Sequence, residues 1–221
     1  HPEHLLELLT FESLPVPEAV LKGIRDAKFE TCTPIQSKSL PITLGRKDLA
    51  GQAQTGTGKT AAFLITLLTR LLENTPPLDP KGKAGPRALI IAPTRELARQ
   101  IEKDALLLGK HCNFRIVCVI GGVDYDKQRN QIKDGVDILI ATPGRLIDFY
   151  KQKFFSLKQV EVLVVDEADR MFDMGFIADL RYLFRNCSSY DKRQSMLFSA
   201  TLNHRVMELC YEHMNNPVRV A

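Results

Sequence analysis

The sequence predicts an α/β domain, a mainly parallel sheet with helices on both faces. Three observations predict it. Short apolar runs alternate with longer stretches of helical period along most of the chain. One run, residues 87–92, is apolar enough for a strand buried on both faces. The unusual polar residues follow such runs directly, at 53–60, 93–96, 121–122, 142–145, 166–169 and 199–201. In open parallel sheets ligands bind along the edge formed by strand C-termini, so this pattern puts the distinctive residues where such a fold works.

The 221 residues suffice for one large α/β domain or two small ones, and 44% hydrophobic with 25% charged residues is ordinary for a globular chain. A net charge of +4 permits a polyanionic partner without demanding one. Cys32, Cys112, Cys118, Cys187 and Cys210 form no C-x-x-C pair and are odd in number, as expected in a reducing compartment. No apolar run approaches the roughly 18 residues that cross a bilayer, so no membrane partner is expected and the cytoplasm is the expected location. The chain shows no signal peptide and no internal repeat; it starts with His1 and reads as an excerpt.

Residues 1–14 read as a leader with Leu5, Leu8 and Leu9 at helical spacing, and 15–221 as the domain. Pro15-Val-Pro17 starts a helix to about Ala27, since proline suits a first helical turn. Residues 29–34 form a loop, and Thr33-Pro34 opens a second helix through Gln36. The short run Asp48-Leu49-Ala50 precedes a Gly-rich turn, and a helix follows to about Glu73. Prolines, glycines and lysines at 74–86 read as a mobile surface loop. Strands are expected at 87–92, 114–120, 136–141, 160–165 and 194–198, and helices at 94–108, 125–133, 146–151, 171–185 and 203–214.

The organising stretch is Gly51-Gln-Ala-Gln-Thr-Gly-Thr-Gly-Lys-Thr60. A strand, a Gly-rich turn and a helix N-terminus aim backbone N–H groups and a partial positive charge at one point, which makes an anion cradle of Ala53, Gln54, Thr55, Gly56, Thr57 and Gly58. Lys59 is expected to reach the β- and γ-phosphates of a nucleotide and Thr60 to hold Mg²⁺ through its hydroxyl. Ala53 stands where glycine is common. A dinucleotide fingerprint over 56–61 is rejected, because the next strand ends in Pro93-Thr94-Arg95 and not in an acid. Downstream, Asp166 and Glu167 end a hydrophobic strand: Asp166 is placed on the metal, Glu167 on the attacking water.

Asp166-Glu-Ala-Asp169, with the 53–60 loop, Pro93-Thr-Arg-Glu-Leu-Ala98, Gly121-Gly122, Thr142-Pro-Gly-Arg145 and Ser199-Ala-Thr201 in that family's order, resembles the DEAD-box ATP-dependent RNA helicases. The resemblance covers about residues 11–221 and implies the first of two RecA-like P-loop NTPase domains, the second lying outside this chain. It implies ATP and Mg²⁺ as ligands, with Phe29 stacking on adenine and the Gln36 amide reading its edge. It implies an RNA-backbone surface of Pro93, Thr94, Arg95, Gly121, Gly122, Thr142, Gly144 and Arg145. It also implies that Asp169 bonds Ser199 and Thr201, coupling the ATP site to the second domain. The implied activity is RNA-dependent ATP hydrolysis coupled to local duplex unwinding. The alternatives kept beside it are a nucleotide-gated RNA clamp without turnover and a DNA-directed relative. Lys28 stands where that family has glycine and Cys32 where it has proline. Cys32-Thr-Pro-Ile-Gln36, Tyr125-Asp-Lys-Gln128 and Met214-Asn-Asn216 are similar to a bacterial branch tied to RNA-decay machinery.

Three other constellations were weighed and set aside. Cys210 and His213 lack a second ligand pair nearby. Ser199 with His204 lacks a nucleophile elbow. The Leu5, Leu8, Leu9 stripe reads as helix packing.

Overall fold

The computed structural model describes residues 7–76 and 85–221. Its strands are β1 (Leu49–Gln52), β2 (Ala88–Ile91), β3 (Ile116–Val119), β4 (Ile138–Ala141), β5 (Val162–Val165), β6 (Gln194–Ser199) and β7 (Val218–Val220). They form one sheet in the order β3-β4-β2-β5-β6-β1-β7, with every neighbouring pair parallel. The helices are α1 (Glu18–Asp26), α2 (Pro34–Thr43), α3 (Lys59–Glu73), α4 (Arg95–Leu108), α5 (Tyr125–Lys133), α6 (Pro143–Lys151), α7 (Ala168–Asp173), α8 (Ile177–Asn186) and α9 (His204–His213). The expected α/β architecture is present.

Side chains alternate across a strand, and both faces of this sheet are covered. Ala88, Ile90, Val162 and Val164 pack with Val20 of α1, Leu40 of α2, Phe63 and Leu67 of α3 and Ile101 of α4. Leu89, Ile91, Leu163 and Val165 pack on the other face with Ile132, Phe149, Met171, Leu183 and Leu209 of α5 to α9. That two-sided burial explains why the central strands read as unbroken apolar runs. α3 is apolar nearly all round because it is buried from Ala61 to Leu71. Two of its buried polar side chains are bonded: Thr66 Oγ1 lies 2.7 Å from Thr43 Oγ1, and Arg70 donates to Gln194 Oε1 and Thr43 O, each at 3.1 Å, whereas Thr69 Oγ1 has no partner.

Several expectations need adjusting. The helix expected at 171–185 is two, α7 and α8, broken where Gly175 adopts φ 76°. α2 runs on through Pro41 to Thr43. The leader is not separate from the domain's packing, for Phe11 and Leu14 are buried in the core. Leu9 packs against that core and Leu8 is exposed, while Leu5 lies outside the described residues, as does 77–84 of the surface loop. At the loop's end Arg87 is anchored to Glu161 at 2.5 Å and to Leu71 O at 3.1 Å.

Candidate functional site

Strand order divides the C-terminal edge of the sheet in two. The segments after β5, β6 and β1 carry Asp166–Asp169, Ser199–Thr201 and the Gly-rich loop. Those after β3, β4 and β2 carry Gly121-Gly122, Thr142–Arg145 and Pro93–Arg95. Neighbouring strands lie about 4.8 Å apart, so the two halves adjoin across the β2–β5 pair.

In the first half, the loop 53–58 turns from β1 into α3. Gly58 caps α3 with φ 86°, a left-handed conformation, and a Cβ there would collide with the Gln36 amide. Nothing lies within 4 Å of where a Gly56 Cβ would point, so the cradle is open there. Ala53 has no positive φ, is buried, and donates its N–H to Ser199 O at 2.9 Å, which extends the β1–β6 pairing. Glycine is therefore not required at that position. Thr57 Oγ1 donates to Gln54 O at 2.7 Å, Thr33 Oγ1 donates to Thr57 O at 2.7 Å, and Thr55 is exposed. α3 has no acid in its first turn, leaving its N-terminal amides and dipole for an external anion.

Lys59 is buried between the loop and the carboxylates. Its Nζ lies 2.7 Å from Asp166 Oδ1 and 3.6 Å from Glu167 Oε2. Asp166 is fully buried; its Oδ1 also accepts from Glu167 N at 3.0 Å, whereas Oδ2 has no partner. Burial pushes the Asp166 carboxyl above its ordinary value, and Lys59 opposes that rise. Glu167 sits in the left-handed region (φ 52°, ψ 54°), a strain of about 1–3 kcal/mol that aims its side chain beside Lys59, and its Oε1 accepts from Arg170 at 3.0 Å. An orphaned carboxylate oxygen beside an open cradle has the hard-oxygen chemistry that a phosphate-bound Mg²⁺ takes, so the residues fit that ion. Half-exposed Thr60 follows Lys59 in the first turn of α3.

A cleft of about 400 Å³ extends from Lys59, Thr60 and Glu167 past Gln36 to Phe29. Phe29 is 39% exposed and stacks on Phe11 with ring centroids 5.6 Å apart. Gln36 is buried; its Oε1 accepts from Thr33 N at 2.8 Å, closing a capping box, and its Nε2 donates to Gly58 O at 2.9 Å. One N–H and one lone pair of that amide are left to face a ligand. Leu97, Gln100, Asp104 and Leu107 of α4 form the opposite wall. Sequence reading missed them, although their helical spacing marks one face of α4 once that helix is set beside α3.

Both departures beside Phe29 have physical reasons. Lys28 adopts φ 60°, the left-handed conformation glycine takes freely. Lys28→Gly is expected to stabilise the fold by about 0.5–1 kcal/mol, read as a higher Tm; a lower Tm would contradict the strain. Cys32 donates its N–H to Leu9 O at 2.8 Å, which proline cannot do. Burial lifts its thiol pKa to about 11.

In the second half, Arg95 is exposed and its Nη1 donates to Gly121 O at 3.3 Å, while a Cβ at Gly122 (φ 76°) would collide with that guanidinium. Thr94 caps α4, accepting from Leu97 N at 3.2 Å. Thr142 caps α6 without a side-chain bond, and Gly144 is exposed with open space beside it. Three placements differ from what the sequence alone suggests. Pro93 is buried. Arg145 turns inward: its guanidinium donates to Gln128 Oε1 at 3.0 Å and Val123 O at 3.3 Å and lies over the Tyr125 and Phe149 rings, tying α5 to α6. Asp169 meets Ser199 through its backbone N–H, which donates to Ser199 Oγ at 3.2 Å, while its carboxylate Oδ1 is buried without a partner. Thr201 is exposed and makes no hydrogen bond among the described residues. Asn203 caps α9 by accepting from Val206 N at 3.0 Å.

The DEAD/DEAH box helicase family model matches residues 33–209. The chain is 55% identical over 214 residues to an ATP-dependent RNA helicase RhlB of Xanthomonas oryzae, spanning 96% of this chain and 37% of that protein. It is 53% identical over 218 residues to the helicase of the same name from Idiomarina loihiensis, covering 99% of this chain and 51% of the relative. The crystal structure of a DEAD box protein from Methanococcus jannaschii superposes with a TM-score of 0.85 at 32% identity, over 98% of this chain and 56% of that one. This chain therefore spans about half or less of the curated relatives' length. The fold is the RecA-like one of these helicases, and the chain belongs to the DEAD/DEAH box helicase family.

Proposed function

We propose that this chain is the ATP-binding half of an ATP-dependent RNA helicase whose whole protein couples ATP hydrolysis to local unwinding of RNA. The observation that carries this reading is Lys59, buried between a phosphate cradle and the Asp166–Glu167 pair at 2.7 and 3.6 Å. Loop amides of 53–58 and the α3 N-terminus hold the phosphates, and Lys59 neutralises charge that develops on the transferred group. Thr60 and Asp166 would hold Mg²⁺, which when bound screens the phosphate oxygens. Glu167 orients and deprotonates the attacking water. A clamp without turnover would have no use for this second carboxylate, strained into place beside the first, so the hydrolase reading is favoured.

RNA lies along the second half of the edge. The α4 and α6 N-termini, Gly121, Gly122, Gly144 and Arg95 offer N–H groups and charge to phosphates and read no base identity. Binding is then insensitive to sequence and steeply dependent on salt. Arg145 supports that surface by fixing α5 on α6 instead of lying open on it. A second RecA-like domain closes on the same edge and completes the ATP site, with Asp169 and Ser199 beneath the junction. Likeness to the branch tied to RNA decay supports the cytoplasm as the location and RNA-decay enzymes as partners.

The adenine end is tested by titrating this chain with Mg-ADP and Mg-GDP. ADP is expected to bind at least about tenfold tighter, since a mismatched amide leaves buried polar groups unpaired. Gln36→Ala should erase that preference and, by opening the capping box, cost about 1 kcal/mol of stability. Equal affinities for ADP and GDP in the unchanged chain would overturn the base assignment.

A further inference from the structure

The opposite edge of the sheet, where the chain enters β5 and β6, holds a second cavity of about 400 Å³. Its floor is Arg193, which is 7% exposed. The guanidinium donates to Ser195 Oγ at 2.8 Å, to His213 O at 2.7 Å and to Ser188 O. All three acceptors are neutral, and among the described residues no carboxylate lies within ion-pair distance of Arg193. The buried carboxylate that acts on it from farther off, Asp48, is engaged by the amides of Ser195 and Asn215 at 2.9 and 2.7 Å. A buried cation whose counter-charge lies beyond ion-pair distance is only partly compensated, and its field reaches the adjoining cavity.

The rim adds charge of the same sign. Among the described residues Arg185 and Lys192 form no ion pair, and Lys158 Nζ makes only a bond of 3.4 Å to Cys187 O. Two acids lie nearby: Glu212, which also lines the cavity, pairs with Arg181, and Asp191 accepts from the neutral Ser189 Oγ at 2.5 Å, so the three cations outnumber them at the rim. At the mouth the Tyr190 ring is 50% exposed. Cations that seize a phosphate beside an exposed aromatic ring make the combination that holds a nucleotide unit, phosphate in the pocket and base on the ring.

We propose that this cavity binds the phosphate of a nucleotide unit, with Arg185, Lys192 and Lys158 on the phosphate and Tyr190 under the base. The unit belongs either to an RNA strand or to a free mononucleotide. The site stands on residues remote from the ATP cradle and does not depend on the reading given to that cradle. In an RNA-remodelling protein it supplies a second grip on the face turned away from the first.

The test is an NMR titration of this chain with inorganic phosphate, uridine monophosphate and a single-stranded uridine hexamer at about 50 mM salt, a concentration at which phosphate contacts are strong. Uridine monophosphate and the hexamer are expected to shift the amides of Ser188–Arg193, and more strongly than inorganic phosphate does. A hexamer at least about tenfold tighter assigns the site to RNA, and equal affinities assign it to the mononucleotide. Exchanging both exposed cations (Arg185→Ala with Lys192→Ala) should abolish those shifts without changing Tm, and leave hexamer shifts at Gly121-Gly122 in place. The salt slope of hexamer binding should fall by about 1.4 for two lost contacts. Absence of shifts at 188–193 with all three probes would overturn the site. Shifts no larger with uridine monophosphate than with phosphate, and indifferent to Tyr190→Ala, would overturn the nucleotide assignment.

Discussion

Replacing Lys59 with alanine is expected to lower the affinity of this chain for Mg-ADP and Mg-ATP at least about 100-fold, or roughly 2.7 kcal/mol. The ammonium is buried where loop 53–58, the α3 N-terminus and Asp166 converge, and the nearest other cation among the described residues, Arg170, is held by Glu167. The substitution has a second effect without nucleotide. Asp166, fully buried, loses its ion-pair partner, and breaking a buried pair costs up to about 3–5 kcal/mol. Burial already raises the folded-state pKa of that carboxyl, and loss of Lys59 raises it further. An acid with a raised folded pKa destabilises the fold only once pH climbs past its unfolded value, so the deficit is small near pH 4 and grows as pH rises towards the folded value. Melting curves of both proteins from pH 4 to 8 should therefore diverge as pH rises. Parallel curves, or unchanged nucleotide affinity, would remove Lys59 from the role given to it.

Glu167→Gln is expected to reduce RNA-stimulated ATP turnover by the whole helicase about 10²–10⁴-fold, the usual worth of a positioned general base. ATP affinity should hardly change, because the amide keeps the shape and Asp166, proposed to hold the metal, is untouched. The backbone at 167 is strained whichever residue occupies it, so the comparison isolates the carboxylate. Steady-state kinetics separate the outcomes. A fall in kcat at constant KM supports the role in activating water; a rise in KM at constant kcat would make Glu167 a binding residue.

What could be read from the sequence follows from burial. β2 and β5 face helices on both sides, so Leu89 to Ile91 and Val162 to Val165 had to be apolar, and the segments were visible as runs. The cradle was legible because its chemistry is local: consecutive amides, one lysine and one helix start. Strand order was not legible, since parallel pairing joins residues far apart in sequence, and the division of the edge into two halves came only with that order. Arg145 shows why a charge in a motif does not disclose its direction. Tyr125, Gln128 and Phe149 surround it from two helices, and those packing partners turned it inward. Asp169 makes the same point through its backbone, which reaches Ser199 where a side-chain bond was expected. Lys28 was visible as a departure, but its left-handed conformation was not.

The central claim is that this domain carries an ATP site which turns over only when the rest of the helicase closes on it. Phosphate release from Mg-ATP, with and without single-stranded RNA, measured on this chain alone and on the whole protein, tests it most directly. The expected result is negligible release by this chain in both conditions and RNA-stimulated release by the whole protein. RNA-stimulated release by this chain alone would contradict the shared site, and absence of release from the whole protein would contradict the hydrolase itself.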